Sequence, residues 1–136
     1  MTRYALLLCC LLLLVLATVT CGNNCQLQTV TLSPIAADAH NFPNGQVNFA
    51  ATGNFNKPPS PVQLTSKDVG WCVGTSGGAC AGNIATGATV DQNGVAQCVP
   101  GFSGTATVLA GTGGTTSMPD TGSQRKIFGA AQLTCP

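Results

Sequence analysis

The chain has 136 residues, only 7% of them charged, with five basic side chains against four acidic ones and a formal net charge of +1. Its one adjacent basic pair is Arg125-Lys126, and it contains no Glu. So sparse a positive field excludes nucleic acid and an anionic bilayer surface as partners, because both are gripped by clustered Lys and Arg.

Residues 1–20, MTRYALLLCCLLLLVLATVT, set Arg3 ahead of an apolar run from Tyr4 to Val19 and close on small residues. This is the pattern of a secretory signal peptide, and the run is shorter than the ~20 residues that cross a bilayer, so cleavage near residues 20–22 is expected. Cleavage removes Arg3, Cys9 and Cys10 and leaves Lys57, Lys67, Arg125 and Lys126 balanced by Asp38, Asp68, Asp91 and Asp120. Cys21, Cys25, Cys72, Cys80, Cys98 and Cys135 remain. An even set in an exported chain reads as disulfides rather than a metal site, since there is no CxxC pair and the single His40 is distant from every Cys in sequence. Cys72 and Cys80 close a short Gly-rich loop and form a candidate local pair. Cys135 is placed to pin the last strand, and the full connectivity stays open. Cys21 has a second reading as the acylated first residue of a bacterial lipoprotein, although Thr18-Val19-Thr20 departs from the usual residues before such a cysteine.

Residues 21–26 read as a tether and 27–136 as one domain. Leu27 to Ser33 alternates as a strand, with Val30 and Leu32 on one face and Leu27, Thr29 and Thr31 on the other, and Pro34 ends it. The polar stretch AADAHNFPNG to Gly45 reads as a loop. Alternation resumes from Gln46 to Phe55, with Val47, Phe49 and Ala51 on one face. Lys57-Pro58-Pro59-Ser60-Pro61 is a stiff connection, because proline lacks the N–H that a ladder or a helix needs. Short strands follow at Val62 to Leu64 and Val69 to Val73, flanking Lys67-Asp68. The second carries the only tryptophan, Trp71, expected to be a core anchor alongside Phe49 and Phe128.

After the Gly-rich loop 74–82, ATVDQNGVAQCVPGFSGTATVLA (88–110) reads as three strands. Asn93-Gly94, the pair that most easily takes positive φ, marks a tight hairpin between the first two. In the third, Ala106 and Val108 share one face and Thr105 and Thr107 the other. A Gly/Thr/Ser segment, 111–124, leads to a last strand from Lys126 to Thr134. The expected fold is all-β, an antiparallel two-sheet sandwich of about seven strands with turns roughly every ten residues.

The succession VTLSP (30–34), GQVNFAATG (45–53), a strand with Trp71, TVDQNGVA (89–96) and GTATVLA (104–110) resembles the bacterial immunoglobulin-like domains of group 2, found in adhesins, invasins and envelope proteins. The resemblance covers roughly residues 27 to 111. It implies an immunoglobulin-like sandwich used as a spacer or adhesive module without a catalytic site or cofactor. The extra cysteines, the Gly-rich insertion at 74–82 and the extension at 112–135 depart from the family pattern.

Candidate chemistry is thin. Gly74-Thr75-Ser76-Gly77-Gly78 looks like the nucleophile loop of trypsin-like proteases, with His40 and Asp68 in triad order, but a serine in a glycine loop lacks a base held rigidly against it. Asp91-Gln92-Asn93-Gly94 has the oxygen ligands that begin a calcium loop without the closing bidentate acid, and reads as a turn. His40 beside Asp38 reads as a solvated loop histidine. Phe42, Phe55 and Phe102 lie near predicted strand ends and, with Arg125 and Lys126, form the candidate binding surface. The sequence thus points to a non-catalytic exported module for adhesion, surface interaction or structural support. Its partner would be a protein or glycan at the cell surface, with membrane contact only through an N-terminal lipid. The alternative is a module that binds a small ligand or carbohydrate.

Overall fold

Residues 25–75, 77–81, 87–112 and 127–136 are described by the computed structural model of the chain. The alternation in the sequence becomes strand wherever one face can be buried. In β1 (Leu27–Ser33) Val30 and Leu32 point inward and Thr29 and Thr31 stay exposed. Pro34 breaks the ladder, leaves Ile35 77% exposed, and hands the chain across to β2 (Ala36–Asp38). The remaining strands are β3 (Gln46–Asn48), β4 (Ala50–Phe55), β5 (Val62–Leu64), β6 (Gly70–Gly74), β7 (Ala88–Val90), β8 (Val95–Cys98), β9 (Gly104–Thr112) and β10 (Ile127–Cys135).

One layer is the four-stranded sheet β2-β10-β9-β6. The other contains β1-β4-β5 and β3-β8-β7, joined because β3 and β4 are successive halves of one extended segment around Phe49. Taking that segment as a single strand gives the order of an immunoglobulin-like sandwich, β1-β3/β4-β8-β7 facing β10-β9-β6, with β2 as an added branch on β10 and β5 as an extra strand on β4. All pairings are antiparallel except β2 with β10, which run parallel in the register Ala36↔Gln132 to Asp38↔Thr134.

Between the layers lie Val30, Leu32, Val47, Phe49, Ala51, Val73, Ala88, Ala96, Ala106, Val108, Ala110, Ala131 and Leu133. Most are Ala or Val, so the sheets approach closely. Gly129 shows how closely, since a Cβ there would lie 2.7 Å from the Val30 carbonyl oxygen. Phe49, 2% exposed, is the largest of the fully buried side chains, and truncating such a residue costs roughly 3–5 kcal/mol. A second, smaller cluster sits on the outer face of the four-stranded sheet. Leu109 points outward from β9 yet is fully buried, because Cys72, Cys80 and Phe128 cover it. The loop after β6 is folded onto that face by the disulfide Cys72–Cys80 and by hydrogen bonds from Thr75 N to Ala79 O (2.9 Å) and from Ala81 N to Val73 O (2.9 Å).

A second disulfide, Cys98–Cys135, links the end of β8 in one layer to the end of β10 in the other, with Cα atoms 5.8 Å apart. Both anticipated roles, a local Cys72–Cys80 clasp and a bond pinning the last strand, are present. Cys25 is disulfide-bonded as well. Covalent cross-links of this kind belong to an oxidising, extracytoplasmic environment.

The sequence reading is corrected at four points. Residues 36–45 are not simply loop: Ala36–Asp38 pairs with β10, and two short 3-10 turns follow, Ala39–Asn41 and Pro43–Gly45. The strand expected over Gln46 to Phe55 is interrupted at Phe49, whose N–H donates to the Gly94 carbonyl (2.9 Å) rather than to a sheet neighbour. Asn93 does not take a positive φ, whereas Gly94 does (+83°). Phe128 belongs to the outer cluster and not to the interlayer core.

Candidate functional site

β6 is the outermost strand of its sheet and β5 the outermost strand of the β1-β4-β5 ladder, so the sandwich is open along the side where these two meet. The turn joining them is held by Asp68. Its Oδ2 accepts from Thr65 N (2.8 Å) and Thr65 Oγ1 (2.7 Å), while Asp68 N and Val69 N both donate to the Thr65 carbonyl. The two Thr65 donors, aided by the nearby Lys67 charge and opposed by slight burial, hold the Asp68 carboxyl below its ordinary value of 3.8.

The other wall is the β7–β8 hairpin tip. Asp91 Oδ1 accepts from Asn93 N and Val95 N, both at 2.8 Å, and Gly94 N donates to the Asp91 carbonyl (3.2 Å). This Asx-type turn ends on a left-handed glycine, the geometry of a three-residue hairpin loop with a bulge. A Cβ on Gly94 would lie 2.8 Å from Trp71 Cζ2 and would collide with the Phe49 carbonyl oxygen. Glycine therefore serves twice here, by accepting the positive φ and by letting the hairpin tip lie flat against the indole.

These elements enclose a cleft of about 420 Å³. Phe49, Leu64 and Trp71 form its apolar part, and Asn48, Gln63, Thr65, Ser66, Gln92 and Asn93 contribute its polar lining. The polar side chains around it are neutral amides and hydroxyls. Trp71 packs against the interlayer core but is only half-buried, so it is an anchor that also presents aromatic surface. Composition could not reveal the cleft, because its residues come from β3, β4, β5, β6 and two turns, and only the strand order brings them together. The single usable signal was a tryptophan in a short strand next to polar turns.

The predicted site residues do not form one surface. Phe42, 38% exposed, lies beside His40, Asn44, Gln97, Cys98 and Pro136 in a hollow of about 250 Å³ at the end closed by Cys98–Cys135. Phe102 is half-buried against the core near that end, with its ring over Gly87. Phe55 sits at the far end of β4, half-buried against the core. Arg125, Lys126 and Cys21 lie outside the described residues. So does Ser76, while Asp68 is engaged with Thr65, and Asp38 Oδ1 accepts from the His40 backbone N–H (2.9 Å). One oxygen of the Asp91 carboxylate, Oδ1, is engaged by two backbone N–H groups, as the turn reading of Asp91 to Gly94 requires. Comparison with family models and with curated proteins finds no match for this chain.

Proposed function

We propose that this chain is an exported, non-catalytic immunoglobulin-like module of a bacterial cell envelope, acting in adhesion, surface interaction or structural support. The observation that carries the reading is a sandwich of the immunoglobulin order whose two layers are tied covalently at one end by Cys98–Cys135, while the side along β5 and β6 stays open to solvent. A scaffold cross-linked in this way keeps its loops in place in an oxidising environment and presents them for recognition. The resemblance of residues 27–111 to group 2 domains supports the same reading, as does the signal-like segment 1–20.

The test is expression of the full chain from its own start in a Gram-negative host. The expected product has lost the N-terminal segment, migrates faster without reductant than with it, and retains whole cells or envelope fractions on beads. A product kept uncleaved in the cytoplasm with reduced thiols, or one whose serines are acylated by a fluorophosphonate probe, overturns the proposal. The carbohydrate-binding reading is favoured by one specific observation, the Trp71 cleft, and it is this site rather than the separated Phe42, Phe55 and Phe102 that supports it.

A further inference from the structure

From the lining of the open side of the sandwich, we propose that the cleft around Trp71 binds a neutral saccharide chain. The inference rests on the chain being a non-catalytic interaction module and names the class of partner. A pyranose ring offers a C–H face and a rim of hydroxyls that donate and accept. The cleft offers the counterpart: an indole surface backed by Phe49 and Leu64, and amides at Asn48, Gln63, Gln92 and Asn93. Each amide supplies two donors and an acceptor, which suits hydroxyl groups better than ions. Tryptophan provides large contact area at small entropic cost.

Three further observations narrow the class. The described polar lining is neutral, which matches an uncharged ligand over a phosphate or a carboxylate. The volume, about 420 Å³, lies within the range of small-ligand sites. Addition of a peptide strand along the end of β6 is obstructed by the chain itself, because Gly74 bridges to Cys80 and the Val73 carbonyl already accepts from Ala81. The walls are also pre-organised. Thr65 and Asp68 fix one turn and Asp91 the other, so little ordering is required on binding.

Because Trp71 is the only tryptophan, its emission reports this cleft alone. The full exported chain is titrated with linear oligosaccharides of β-1,4-glucan, β-1,4-linked N-acetylglucosamine, mannan and xylan, with oligogalacturonate as the acidic counterpart and an extended Ser/Thr-rich peptide as the polypeptide control. A saturable change in emission with at least one neutral saccharide is expected, weakened roughly tenfold in a Gln63→Ala/Gln92→Ala variant that keeps the reporter and the native melting transition. The proposal is overturned by an emission that no neutral saccharide moves, by unchanged affinity in that variant, or by a response to the peptide or the acidic sugar alone. Cell retention that persists undiminished in the variant sinks the saccharide cleft and leaves the interaction module standing. Loss of both cell retention and saccharide binding in the unaltered chain brings down the two together.

Discussion

The end of the sandwich closed by Cys98–Cys135 and the open side along β6 solve opposite problems. At the closed end, one disulfide spans the layers and joins residues 37 apart in sequence. Along the open side, neighbouring residues of one edge strand face opposite ways: Trp71 toward the cleft, and Cys72 toward the outer face, where its bond to Cys80 spans only 8 residues and binds a loop over Leu109. Covalent closure is thus spent on layer-to-layer alignment at one end and on local cover at the other, and the surface between them is left free for contact. A long-range cross-link restricts the unfolded chain far more than a local one.

Breaking the closed end should have the largest effect. Replacing Cys98 and Cys135 together with Ser is expected to lower stability by about 4 kcal/mol on the loop-entropy scale, read as a shift in the denaturant midpoint. The corresponding replacement of Cys72 and Cys80 should cost less, about 2.5 kcal/mol, and should expose Leu109 and Phe128 while leaving Trp71 emission near its native value. If the two pairs cost the same, the contrast drawn between global and local closure fails.

Gly94→Ala addresses the open side directly. The added methyl meets Trp71 and the Phe49 carbonyl in a backbone region that disfavours side chains, so a loss of roughly 1–3 kcal/mol with a displaced Trp71 emission maximum is expected. An unchanged emission spectrum would show that the hairpin tip does not support the indole. The smallest effect is that of pH on the β5–β6 turn. The folded pKa of Asp68 is lowered, so its contribution is complete above about pH 4 and is lost as the pH falls through the depressed value. Asp68→Asn should flatten the fall of the melting temperature on that acid limb, and an identical slope in the variant would remove Asp68 from the account.

The strands were largely legible, for local reasons. β1 begins and ends where read, because alternation runs from Leu27 and Pro34 stops it. β5 likewise matches over Val62–Leu64. What escaped the reading depends on distant partners. Ala36–Asp38 has no alternation and is strand only because β10 runs beside it. Phe49 interrupts its strand because a carbonyl at Gly94 takes its N–H. The face of β9 that carries Thr105 and Thr107 also carries Leu109, which is buried because Phe128 and the disulfide-bonded Gly-rich loop cover it.

Sequence by itself determined that this chain is all-β, where most strands lie, which turns reverse it and that its cysteines could cross-link, since period-two alternation and turn chemistry are properties of neighbouring residues. Only the tertiary structure decided that β6 is an edge, and with that everything about the cleft. The same tryptophan in a central strand would be covered on both flanks, but at the edge it keeps one side in contact with solvent. Asn48, Gln63, Gln92 and Trp71 line one cleft because two sheets stack in a particular strand order, and no local pattern encodes that order.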